Sequence, residues 1–176
     1  YESEEGSILF VSVGDGADNG NIIMVDLVDA PDESFATACL STDDDISSLA
    51  VSGDDSDAMI LAGNYEGVAK VYLSQNSGDS WKTLDKQPTG LGANMRGTSV
   101  AMAIGDFDED EGVAYAGTAG TESAFSITKD GAFTWNQIEL IDTVIAEILD
   151  LAFADSDNHF MVTQGATSSA WRTEDA

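Results

Sequence analysis

The feature that most constrains this chain is that it repeats. Three segments align: Ile46 to Gly63 (ISSLAVSGDDSDAMILAG), Thr98 to Gly117 (TSVAMAIGDFDEDEGVAYAG) and Ile148 to Gly165 (ILDLAFADSDNHFMVTQG). Each reads as an alternating apolar strand, an acidic loop, a second apolar strand and a closing Gly. The acidic loops begin at Asp54, Asp106 and Asp155, spaced 52 and 49 residues apart. A partial copy opens the chain, with acidic Glu2 to Glu5 followed by Ile8 to Val13 and Gly14. Apolar alternation of period two marks half-buried strands. A unit of this length that recurs cannot bury its faces alone, so neighbouring copies must stack.

After each copy comes another short strand and then a turn with a recurring frame. The first is Ser74-Gln75-Asn76-Ser77-Gly78-Asp79-Ser80-Trp81, and the second is Thr128-Lys129-Asp130-Gly131-Ala132-Phe133-Thr134-Trp135. A third begins at Thr173-Glu174-Asp175-Ala176. The two Trp residues lie 54 apart. This frame, Ser/Thr-x-Asp-x-Gly-x-x-Trp, resembles the Asp-box, or bacterial neuraminidase repeat, of β-propellers. Asn76 stands for the usual Asp, and Ala132 for the usual Gly. The resemblance covers the chain from about Ile46 onward, and Ile8 to Leu40 more loosely.

Elementary chemistry agrees with a structural turn. Gly supplies a positive φ at little steric cost. An Asp or Asn side chain bonds backbone N–H groups within a turn, and a Ser/Thr hydroxyl does the same. The Trp packs a large apolar area over the hairpin. In proteins that resemble this one the motif lies on the propeller periphery. Ser74, Asn76, Gly78, Trp81, Thr128, Asp130, Trp135, Thr173 and Asp175 are therefore read as structural.

The expected fold is all-β: a β-propeller segment of four-stranded antiparallel blades with Asp-box hairpins, open at both ends. Residues 1–176 form one partial propeller, with blades at about 1–42, 43–90, 91–142 and 143–176. The first blade lacks its first strand (8–13, 21–27, 35–40). The second (46–52, 58–63, 68–74, 81–85) and third (98–104, 112–117, 123–128, 135–139) are complete. The fourth lacks its last (147–153, 159–164, 168–173). The fourteen strands are expected to belong to a larger propeller or to close with a partner. Two copies would supply the equivalent of seven four-stranded blades. One stretch contests this reading: Leu140, Ile141, Val144, Ile145, Ile148 and Leu149 have helical spacing. The repeat register instead starts a strand at Glu147, with Leu149, Leu151 and Phe153 on one face.

Charge then narrows the function. The chain carries 33 Asp+Glu against 6 Lys+Arg, a formal net charge of -27, while 43% hydrophobic residues suffice for a core. Such a surface repels phosphate backbones, which excludes nucleic acid as a partner, and it disfavours anionic lipids and substrates. No apolar run approaches a membrane span of about 18 residues, so no membrane insertion is expected. The chain opens on acidic residues with no signal-peptide pattern. The single Cys39 allows no intrachain disulfide and reads as a buried free thiol.

Few constellations carry chemistry. Asp106-Phe107-Asp108-Glu109-Asp110-Glu111-Gly112 places alternating carboxylates in a loop, the oxygen-rich pattern Ca²⁺ takes. Asp106, Asp108 and Asp110 are the candidate ligands; the alternative is a solvated acidic turn. The loops Gly14 to Asn21 and Asp54 to Asp57 are weaker candidates. One His and one Cys nearly exclude zinc. His159 has no nucleophile assigned to it and is expected at a loop or strand edge. A sialidase would need an arginine cluster, whereas only Arg96 and Arg172 are present. A pair of acids hydrolysing a neutral glucan is not singled out by any spacing.

Three functional readings follow. The first is a non-catalytic extracellular or cell-surface propeller, such as a surface-layer scaffold, assembly or binding module, with Ca²⁺ as candidate cofactor. The second is a glycan-binding or neutral-polysaccharide-hydrolysing propeller, with Tyr65, Tyr115 and Phe107 as the aromatics at the blade mouths. The third is a protein-complex assembly factor. A protein partner or self-association would complete the propeller.

Overall fold

The apolar alternation forms strands because each period-two run must bury one face at least. In the computed structural model the residues described are 2–3, 6–13, 20–26, 35–53, 58–65, 67–82, 84–90, 98–102, 112–120, 123–141, 145–153 and 158–173. Among them are fourteen strands and no helix. In chain order they are β1 (Glu2–Ser3), β2 (Gly6–Val13), β3 (Gly20–Asp26), β4 (Phe35–Thr42), β5 (Ile46–Ser52), β6 (Met59–Asn64) and β7 (Val71–Ser74). There follow β8 (Thr98–Met102), β9 (Ala114–Thr118), β10 (Ser123–Thr128), β11 (Asn136–Ile141), β12 (Glu147–Phe153), β13 (His159–Gln164) and β14 (Ser168–Thr173).

They make four antiparallel meanders: β1-β2-β3-β4, β5-β6-β7, β8-β9-β10-β11 and β12-β13-β14. Every pairing joins sequence neighbours, as in β9 with β10, where Tyr115 faces Ile127. Along the molecule β5 lies against β8 and β8 against β12, so the leading strands of successive sheets are neighbours. The fold is a propeller-like stack of small sheets.

Three apolar clusters fill the seams. The first joins Phe10, Ile22 and Cys39 of the opening sheet to Ile46, Ala62, Tyr72 and Trp81. The second joins Met59, Leu61, Val71 and Leu73 to Ala114, Ala116, Ala132 and Trp135. The third joins Tyr115, Ala119 and Ile127 to Ile145, Ile148, Leu151 and Met161. Burial of such side chains stabilises by about 1.5–3 kcal/mol each. The seams, rather than the single sheets, therefore hold the stack together.

The strand expectations are corrected in four places. Residues 81–82 and 84–85 lie in no strand. Lys82 N donates to Leu73 O at 2.8 Å, but Asp85 N donates to Phe133 O at 3.1 Å and Lys86 bridges Thr134 in parallel. With Leu84 buried in the second cluster, this segment is shared between two sheets. The opening sheet does have a first strand, the two-residue β1, pairing Glu2 with Ser7 and Ser3 with Gly6. The strand expected at 68–74 starts only at Val71, because the Asn64 side chain ties off the hairpin. Its Nδ2 donates to Val68 O and its Oδ1 accepts from Lys70 N, both at 2.9 Å. Finally, β12 carries a bulge between Ile148 and Asp150. The bulge buries Ile148 with Leu151 and leaves Leu149 50% exposed. The spacing of Ile148 and Leu149 thus reflects an extra residue in a strand, while Val144 lies outside the described residues.

Candidate functional site

The two octapeptide frames fold as near-identical turns. In the first, Ser74 Oγ accepts from Gly78 N at 2.9 Å and from Asn76 N at 3.4 Å. Asn76 Oδ1 then accepts from Ser80 N at 2.9 Å. In the second, Thr128 Oγ1 accepts from Ala132 N at 3.1 Å and from Asp130 N at 3.4 Å. Asp130 Oδ1 accepts from Thr134 N at 2.9 Å and from the Thr128 hydroxyl at 2.7 Å. The Thr134 hydroxyl donates to the other oxygen, Oδ2. Burial by itself would raise the Asp130 carboxyl, but these hydrogen bonds from Thr134 and Thr128 outweigh it and lower its pKa.

Both turns place two successive residues at positive φ: Ser77 (55°) and Gly78 (91°), then Gly131 (64°) and Ala132 (75°). The glycine has moved from the second of these positions to the first. Each Trp then closes a seam against the preceding sheet. Trp81 is half-buried, and its Nε1 donates to Cys39 O at 2.8 Å. Trp135 is fully buried, and its Nε1 meets no hydrogen-bond partner among the described residues. Thr173 ends β14, while Asp175 lies outside the described residues.

The sequence reading missed a polar clasp at the first seam. Asp44, in the link between β4 and β5, accepts from Tyr72 OH at 2.6 Å and pairs with Lys70 Nζ. Tyr72 in turn shares a 2.7 Å hydrogen bond with Thr42 Oγ1. Burial first, and then the Asp44 acceptor, push the Tyr72 phenol up to about 12. The phenol thus remains a donor through the physiological range, unsuited to act as a base. The same link passes so close to β3 that a Cβ at Gly20 would lie 2.0 Å from Asp44 O. Asp44 sits in Asp43-Asp44-Asp45, which looks like one more acidic loop. Only its apposition to Tyr72 and Lys70 distinguishes it.

The remaining candidates are rearranged by the fold. His159, expected at a loop or strand edge, takes the first position of a strand, β13, and is buried there. It is 2% exposed, and its ring lies 4.1 Å from that of Tyr115. Tyr115, expected at a blade mouth, is buried in the third seam, stacked on Phe125 at 5.6 Å. Tyr65 is exposed, as a mouth aromatic would be, just after β6. Cys39 is partly buried; its Sγ donates to Ile22 O at 3.3 Å, and burial pushes the thiol up. Phe107, Arg96 and the candidate cation ligands Asp106, Asp108 and Asp110 lie outside the described residues, as do the loops at 14–19 and 54–57.

No family model matches the chain, and no curated protein matches it. Among solved structures it is similar to "YCF48 bound to D1 peptide", a β-propeller protein, with a TM-score of 0.50 and 14% identity. The match covers 97% of this chain and 54% of that one, so the chain spans about half the length of that structure. At this identity the likeness shows the fold: an all-β, propeller-like arrangement of antiparallel sheets.

Proposed function

We propose that the chain is a β-propeller module with a non-catalytic role in scaffolding, assembly or binding, working outside the cell or on its surface, and that its two hairpins are Asp-box turns. Residues 1–176 then form one partial propeller with the blade limits given above. The observation that carries this reading is how the recurring side chains are used. Ser74, Asn76, Thr128 and Asp130 bond within their own turns, and both Trp residues close seams. His159 and Tyr115, the two groups best suited to chemistry or glycan stacking, are likewise committed to packing. The assembly reading draws on fold analogy with YCF48, whose structure holds a peptide.

Three experiments test it. Release of reducing sugar from a panel of neutral β-glucans at a real catalytic rate would sink the non-catalytic role. Cross-linking on intact cells that make the protein should recover a defined protein neighbour, and surface protease should cleave it there. Protection from that protease would refute the location.

A cation role is proposed separately for Asp106, Asp108 and Asp110, on the alternating-carboxylate pattern alone. Calorimetry should show calcium binding that is lost on changing Asp106 and Asp108 to Asn. The absence of binding heat would end the idea.

A further inference from the structure

The middle strands of the stack differ in a way that depends on their place in it. β6 and β9, in the interior sheets, are buried on both faces along their whole length. β13 alternates: His159, Met161 and Thr163 are buried, while Phe160, Val162 and Gln164 are exposed. Its buried side faces the third seam. Phe160 (42% exposed) and Val162 (37%), with Leu149 beside them, face outward. β2 shows the same alternation at the other end: Phe10 packs into the first seam, and Leu9, Val11 and Val13 are exposed. By register, Ile23 and Val25 stand opposite Val11 and Leu9 on that outward face.

These two faces are complementary by the construction of the stack. The outward face of the first sheet corresponds to the side that every later sheet turns toward its predecessor. The outward face of the last corresponds to the side that every earlier sheet turns toward its successor. Each therefore continues an interface that the chain already makes three times. Leu9, Val11, Val13, Ile23 and Val25 form an apolar patch across β2 and β3, with Glu2 paired to Ser7 at its margin. On the last sheet the guanidinium of Arg172 lies over the Phe160 ring at 5.8 Å, and the exposed Asp150 stands opposite Val162.

We propose that a second copy of this chain occupies both faces, the β13 face of each copy packing on the β2 face of the other. This rests on the propeller reading above and names its partner. Because each interface joins unlike faces, a two-fold pair uses both and closes a ring. Each copy carries -27, so association must overcome like-charge repulsion and should strengthen as salt screens it.

The test is sedimentation equilibrium of the 176-residue chain at about 0.15 M and about 2 M NaCl, the range over which screening becomes short-ranged. The expected result is a species of twice 18.4 kDa whose fraction rises with salt. Val11→Asp and Val162→Asp, both at exposed positions, should each weaken the dimer by about tenfold or more, since each presses a charge into an apolar seam. Each variant should keep the wild-type circular dichroism and melting profile of the monomer. An equimolar mixture of the two should recover association, because a mixed pair retains one unaltered interface. A monomer at both salt concentrations overturns the proposal and leaves the faces to other chains or further blades. Loss of the dimer in only one variant also overturns it, since that marks a like-on-like contact. None of these results bears on glucan turnover or surface location, so the module reading stands or falls separately.

Discussion

The turns 74–81 and 128–135 solve one problem with different residues. Both must hold two consecutive left-handed residues, satisfy the amides they expose and seat an indole on the preceding sheet. The first uses a neutral Asn76, a Gly at the position of larger φ, and a half-buried Trp81 tied to Cys39 O. The second uses an ionised Asp130, an Ala at 75° and a fully buried Trp135. The difference shows that the frame specifies roles rather than residues. A loss at one position is offset at the next, provided the seam fits.

The largest break in the comparison is at the indoles. Trp135→Ala should cost about 3–5 kcal/mol in urea unfolding followed by circular dichroism, the range for truncating a buried aromatic. Trp81→Ala should cost about half of that, through less buried area and one lost hydrogen bond of about 1 kcal/mol. Equal costs would mean the two seams are equivalent despite the difference in burial.

Next is the exchanged glycine. Gly78→Ala should cost about 2–3 kcal/mol, because φ is +91° and the added Cβ would meet Cys39 Cβ and Sγ at 3.1 Å. A cost below about 0.5 kcal/mol, the ordinary surface range, would show that Cys39 yields freely.

The Asp130 difference reads out through pH. Asp130→Asn should cost about 1 kcal/mol at pH 7, the step from a charged to a neutral hydrogen-bond acceptor. The carboxyl pKa is lowered in the fold, so its stabilisation is full above the ordinary value of 3.8 and fades as pH falls through the folded value. Wild type and variant should therefore converge in acid. A gap that stays constant to low pH would place the effect elsewhere. The smallest effect is Ala132→Gly, expected within about 0.5 kcal/mol. Relief of the left-handed strain is offset by a lost buried methyl and a looser unfolded chain. A gain well above that would mean that the Ala132 methyl contributes little to the seam.

Much of this was legible in the sequence because it is local. The alternating run at Ile46–Ser52, the apolar runs at 112–117 and 159–164 and the turn frames follow from pleat geometry and turn chemistry, which act over a few residues. What was misread involves partners distant in the chain. Residues 81–85 looked like an outer strand, but their amides are divided between Leu73 and Phe133. His159 looked like a residue beside an acidic loop, and Tyr115 like a mouth aromatic, yet they stack on each other across a seam. Asp44 became distinct from its acidic neighbours only through Tyr72 and Lys70.

The sequence by itself determined the strand units, their order and the turns that join them, since each depends on bonds within one meander. The tertiary structure decided which faces those units bury. Both faces of β6 and β9 are covered, but only one face of β2 and of β13, although all four strands carry apolar side chains. Alternation records which residues share a face. What covers that face depends on the neighbouring sheet, and no local pattern encodes it.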